Sequence, residues 1–234
     1  DWKDFVVSRL SRLFPAYWTC VTLTTLLIAT NLQYFHKSSF SRLGWQYVTN
    51  MTMFQEYFKV RDLDGPYWTM LVEMLFYIFM LFIFSLKKLK FVALIGALLL
   101  IPILIYSTPY FKSHHTHMHY LAAFYLPLIN HFPLFLTGIA FYKIKTGEPA
   151  FQMYLLVLIC FICQLFLFDD GGRSFNFISF TPYAFMLSLY FILFVLYVNG
   201  YLKAIKNNVL LFLGKISFCL YLFHELVGTK IIIP

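Results

Sequence analysis

GPYWTMLVEMLFYIFMLFIF, residues 65–84, holds a single formal charge, Glu73, in twenty residues. At ~1.5 Å per residue a helix of this length crosses the ~30 Å hydrocarbon layer of a bilayer. The stretch therefore reads as a membrane-spanning helix with a carboxylate set inside it. The rest of the chain agrees: of 234 residues, 61% are hydrophobic and only 12% charged, too apolar for a soluble domain. Apolar windows separated by charged or turn-rich stretches predict about seven spans, at 15–31, 66–86, 91–110, 120–142, 151–168, 178–199 and 208–228. The expected class is an all-α, polytopic transmembrane bundle. With no repeat, Ser/Gly linker or low-complexity tract, residues 1–234 read as one domain. The long connector 32–65 mixes Tyr, Phe and Trp with charges and is expected to include an interfacial helix.

The chain begins at Asp1 and ends in TKIIIP, which reads as an internal piece of a longer protein. A basic region, short apolar core and small-residue cleavage site do not occur in the order of a signal peptide. The net charge of +8 is scattered between the spans, which argues for topology and against nucleic acid as a partner. A cytoplasmic chain start puts Lys3, Arg9, Arg12, Lys87, Lys88, Lys90, Lys143, Lys145, Lys203 and Lys206 on the inner side. The acidic Glu56, Asp62, Asp64, Asp169 and Asp170 then lie outside.

Metal and redox chemistry find little support. Cys160 and Cys163 form a C-x-x-C, but inside an apolar run, where packing or lipid contact is the expected use. In FKSHHTHMHYL, residues 111–121, alternate histidines would share one side of an extended strand, yet no carboxylate or cysteine flanks them. No metal site is assigned. The DDGG at 169–172 reads as a solvated turn.

Polar residues at membrane depth are the candidates for function, because a charge in hydrocarbon costs several kcal/mol and usually faces a cavity or bundle interior. Glu73 is expected about 10 Å below the outer surface, and Thr69, Glu73 and Tyr77 recur at i, i+4 and i+8 as one polar stripe. A hydrogen-bonded structural Glu is the other reading. In the last span Ser217, Tyr221, His224 and Glu225 share a face, with His224 about 6 Å from the outer end, so it and Glu73 could line one cavity. An interfacial anchor is the alternative for His224. Pro127 and Pro133 bracket Asn130 and His131 in YLPLINHFPLFLTGIAFY, residues 125–142, and should break that helix, lining a cavity or serving packing. In SRLSRLFPAYW, residues 8–18, Arg9 and Arg12 stand at i, i+3 before Pro15, which is expected to start the first span. Two guanidiniums so placed can clamp phosphates or simply anchor the inner face.

Taken in order, these landmarks resemble the acyltransferase family 3 membrane enzymes, which O-acylate sugars and related acceptors. SRLSRLFPAYW resembles the family's R-x-x-R element, and YWTMLVEMLFY its W-[ST]-L-x-x-E-x-x-F-Y segment. FPLFLTGIAFY and LGKISFCLYLFHELV are similar to its F-P-x-F-x-x-G-I-x-x-Y and L-G-x-I-S-Y-x-L-Y-L-x-H-x-P-V segments. The resemblance runs from about Phe5 to Val227. It implies an acyl-CoA co-substrate, acetyl-CoA being the expected one, taken from the cytoplasm, with Arg9 and Arg12 on the donor phosphates and no bound cofactor. It implies Glu73 and His224 as catalytic residues, with Trp68, Thr69, Tyr77, His131 and Tyr221 around the substrate cavity. The acceptor would be a sugar or glycolipid of the cell envelope, and the setting the bacterial plasma membrane.

Three departures stand out. The family's general base, a His about eleven residues after an Arg in the first span, has no counterpart here. Glu225-Leu226 stands where x-Pro is usual, and His131 where Arg is common. The fragment by itself is therefore expected to be inactive and the full-length protein active. Two rival functions follow from the same buried polar residues: a transporter or flippase of a lipid-linked sugar, and a membrane subunit without chemistry of its own.

Overall fold

A computed structural model describes residues 2–30, 40–169, 178–205 and 207–228, and every regular element among them is helical. The described chain forms two compact units, Asp1–Phe82 with Asn207–Pro234, and Ile83–Lys206. No linker or change of composition marks that boundary in the sequence. Five helices are long and apolar enough to cross a membrane, and a bent pair makes up to six. The remaining expected span is Ala150–Phe166, whose 17 residues would rise only about 26 Å. It falls at the short end of what a bilayer accepts.

In the first unit α1 (Trp2–Thr30) carries Leu13, Tyr17, Cys20, Val21 and Ile28 on one buried face. Their spacing of three, four and seven is that of a helix stripe. They pack on Leu43, Met53, Leu63, Tyr67, Met70 and Leu222. Here the structure corrects a boundary: α1 begins at Trp2, and Pro15 lies inside it. Proline removes one N–H from the ladder, but the Thr19 hydroxyl donates to the Pro15 carbonyl at 2.8 Å and steadies the turn.

The connector holds α2 (Phe40–Asn50), the short helix expected there, whose outward Trp45 and Val48 are exposed. It is tied to α1 by polar bonds. The Tyr17 hydroxyl donates to the Asn50 carbonyl at 2.9 Å, and Trp18 Nε1 to the Met51 carbonyl at 3.0 Å. The buried Asn50 amide donates to the Gln46 and Arg61 carbonyls and accepts from Leu63 N–H, closing the loop on itself. A single 3-10 turn, Gly65–Tyr67, then leads into α3 (Trp68–Ser85). The other helix of the unit is α10 (Asn208–Val227), capped by the Asn207 side chain accepting from Leu210 N–H at 2.8 Å.

The second unit contains α4 (Val92–Tyr106), α5 (Pro109–His114), α6 (Thr116–Tyr125), α7 (Phe132–Lys145), α8 (Ala150–Phe166) and α9 (Phe180–Val198). Small buried residues (Ala93, Gly96, Ala140, Cys160, Cys163) let these helices approach closely. At Gly96 the approach is tight enough that a β-carbon would run into the Leu136 side chain. The two C-x-x-C thiols are buried and free, in line with a packing role. Phe141 stacks on Phe194 at 5.5 Å and Phe161 meets Phe191 edge-on at 5.1 Å. The chain turns by 80° between Thr116–Tyr125 and Pro127–Lys145, so the expected proline break is real. Pro127 opens a 3-10 turn ending at His131, and Pro133 sits in the first turn of α7, where no N–H is needed.

The histidine loop is helical, not extended, because Thr108 caps α5 and the chain re-enters a helix at Thr116. Its rings stack on aromatics: His119 on Tyr106 at 4.4 Å and His114 on Tyr110 at 4.2 Å. Among the described residues no group of three ligating side chains is placed to hold a metal. Residues 170–172 of the DDGG turn lie outside the described residues.

Candidate active site

The polar stripe of α3 organises the first unit. Thr69, Glu73 and Tyr77 stand on successive turns, each about 6 Å from the next, and all three are half-buried. The Tyr77 hydroxyl donates to Glu73 Oε1 at 2.5 Å, one turn back along the helix. At the start of the stripe the Tyr221 hydroxyl of α10 donates to Thr69 Oγ1 at 3.3 Å, and Thr69 in turn donates to the Pro66 carbonyl. Trp68 is half-buried at the first turn of α3.

At the other end of the stripe stands α1. The Arg9 guanidinium lies 5.4 Å from the Phe5 ring and 5.6 Å from the Tyr77 ring, and those rings meet edge-on at 6.4 Å. Ring faces carry negative potential, so such a cradle favours a cation. Arg9 Nε is buried and has no hydrogen-bond partner. Arg12, one turn further on and exposed, is close enough to act electrostatically on Tyr77.

This geometry brings together residues that the sequence reading kept apart. Tyr77 lies twelve residues beyond Gly65, or about 18 Å along the helix. Arg9 packs against it and so lies alongside α3, short of its Ser85 end. The cause is the extent of α1: helix begins thirteen residues before Pro15, so the R-x-x-R pair lies on the same continuous helix as the apolar stretch that follows. Arg9 and Glu73, expected near opposite faces, are joined through one tyrosine.

Glu73 and His224 do not share a bond. Each finds its partner within its own helix, Glu73 at Tyr77 and His224 at the Tyr221 carbonyl, 2.6 Å from Nδ1. The His224 and Tyr221 rings stack at 5.6 Å, and both side chains are exposed. The predicted residues of this unit thus form two groups along one stripe, Arg9–Arg12–Tyr77–Glu73 and Thr69–Tyr221–His224. His131 belongs to the second unit, at the end of the 3-10 turn that leads into α7.

One acid escaped the sequence reading as a candidate. Asp64 is 96% buried (4% exposed), and its Oδ1 accepts from Gly65 N–H at 2.8 Å while Oδ2 has no partner. Burial pushes its carboxyl up to about 6; the N–H groups of Gly65 and Leu226 oppose the shift, and nearby Glu225 adds to it. The Glu225 carboxylate lies close over Gly65, where a β-carbon would displace it. The Asp-Gly-Pro just ahead of an apolar run is an N-cap signal that could have drawn attention to Asp64.

A model of one known family matches almost the entire chain: the acyltransferase domain of acyltransferase family 3 covers residues 1–231. The match spans both compact units, and with the long apolar helices it makes this a membrane acyltransferase domain. The chain belongs to acyltransferase family 3. No curated protein and no solved structure matches it.

Proposed function

We propose that the protein is an O-acyltransferase that moves an acyl group, acetyl as the expected one, from acyl-CoA to a hydroxyl of a cell-envelope sugar or glycolipid. The observation that carries the donor assignment is Arg9: a guanidinium held between two aromatic rings, with a buried Nε–H lacking an acceptor and Arg12 one turn away. Phosphate oxygens are the acceptors that a pair of guanidiniums takes best. With the chain start cytoplasmic, the donor comes from the inner side. Thr69, Tyr221 and His224, at the opposite end of the stripe, form the acceptor side.

In this reaction the acceptor oxygen attacks the thioester carbonyl, the C–S bond breaks, and CoA leaves as the thiol. The hydroxyl proton passes to a base and from it to the departing sulfur. Donor kinetics of full-length protein in membranes test the reading. Arg12→Ala should raise the KM for acyl-CoA about tenfold or more, the loss of one charge-assisted contact of about 1.5–3 kcal/mol. An unchanged KM would remove the arginines from the donor site.

A further inference from the structure

The stripe on α3 assigns Glu73 a task other than proton transfer. Its carboxylate accepts a hydrogen bond from the Tyr77 hydroxyl, and no ion pair joins it to Arg9 among the described residues. What meets Arg9 is the Tyr77 ring, 5.6 Å from the guanidinium carbon, together with Phe5 from one turn earlier on α1. A tyrosine ring packed among apolar side chains is held more firmly in one rotamer when its hydroxyl is tethered. The bond to Glu73 is that tether, and it runs along a single helix, so it holds the ring whatever α1 does.

We propose that Glu73 and Tyr77 are positioning residues for the acyl donor: Glu73 fixes the Tyr77 hydroxyl, and the Tyr77 ring with Phe5 fixes the Arg9 guanidinium for an anionic phosphate oxygen of acyl-CoA. The inference rests on the donor reading of Arg9 and Arg12. Leaving a buried N–H without an acceptor is unfavourable, and Arg9 Nε–H is so placed. A phosphate oxygen brought to this guanidinium would supply one. The carboxylate acts only as an acceptor here, a part that a neutral amide oxygen can also play. That separates it from a general acid or base, which must ionise.

Five variants of the full-length protein, measured in membranes with acetyl-CoA and the native acceptor, test this. Tyr77→Phe and Glu73→Ala should each raise the donor KM about three- to tenfold with kcat within twofold. Glu73→Gln should restore most of the loss seen in Glu73→Ala, because it keeps the acceptor oxygen. In an Arg9→Ala background, Tyr77→Phe should add nothing further, since residues acting as one unit are not additive. A Glu73→Gln enzyme whose kcat falls as far as that of Glu73→Ala would overturn the proposal in favour of proton transfer. So would a normal donor KM in Tyr77→Phe when Arg9→Ala raises it. A normal donor KM in Arg9→Ala itself would sink the donor reading, and this proposal with it.

Discussion

The two units hold their helices by different means. In the first, buried polar groups reach from one segment to another, Tyr17 to Asn50, Thr24 to Tyr67 and Gln55 to Asp62, and the exposed Tyr221 reaches Thr69. In the second, contact rests on fitted volume, with Gly96 beneath Leu136 and phenylalanines interlocked on α7, α8 and α9. Polar bonds join helices there too, but Asn199 to Tyr154 and Lys145 to Tyr197 lie at the surface, and Tyr106 to the His119 carbonyl is half-buried. The Gln164 amide, donating to the Asn130 carbonyl and the Tyr183 hydroxyl, lies deeper. In a bilayer, apolar packing has little hydrophobic drive, because lipid tails are as apolar as leucine. Shape alone can hold helices together, but directional bonds also dictate which face meets which. In the unit that carries Arg9 and Glu73 such bonds reach the buried interior, at Tyr17, Thr24 and Asn50, which suits a site that must present charged groups at set angles.

The contrast can be broken most severely in the second unit. Leu136 is fully buried, and Leu136→Ala should cost about 2–5 kcal/mol as a cavity opens against α4. Gly96→Ala alone should destabilise by about 1–3 kcal/mol through overpacking. In the Leu136→Ala background the same Gly96→Ala change should recover stability, because its methyl enters the space vacated. Thermal unfolding of the purified protein in detergent reads this reversal of sign. If Gly96→Ala costs the same in both backgrounds, shape fit is not what holds α4 on α7.

In the first unit the sensitive change is polar. Asn50→Ala strips the Leu63 N–H of its acceptor and the Arg61 carbonyl of one donor while removing little volume, and should cost about 2–3 kcal/mol. The loss should show as faster amide exchange over residues 61–67, with α7 and α8 unaffected. Exchange that quickens evenly through both units would erase the distinction between them.

Some of this was legible in sequence and some could not be. The broken helix at Pro127 and Pro133 follows from local chemistry, as does the stripe Thr69–Glu73–Tyr77, which is only helix periodicity. The start of α1 was misplaced because Pro15 is the usual mark of a helix start, and tolerance of an interior proline depends on what the next turn supplies. That Arg9 meets Tyr77 is a tertiary fact: spacing along one helix says nothing of which neighbour lies beside it. Asp64 is passed over among outer-loop acids because its burial comes from α10, just over 160 positions away.

Asp64 offers the smallest expected effect, and the one with a pH signature. Its carboxyl, ordinarily near 3.8, is raised to about 6 in the folded protein, so the native state favours the protonated acid. The stabilisation this brings is complete below about pH 4 and is lost as pH rises through about 6. The wild-type protein should therefore lose stability between pH 4 and 7. Asp64→Asn stays neutral, keeps an oxygen for Gly65 N–H, and should flatten that part of the profile. Above pH 7 the variant should be more stable by about 1–2 kcal/mol, within the ceiling of about 3 kcal/mol that a two-unit shift carries. At pH 4 the two proteins should unfold together. A slope that survives Asp64→Asn would assign the titration to another group and leave Asp64 a plain N-cap. A slope that disappears would make this buried acid the point at which the first unit responds to pH.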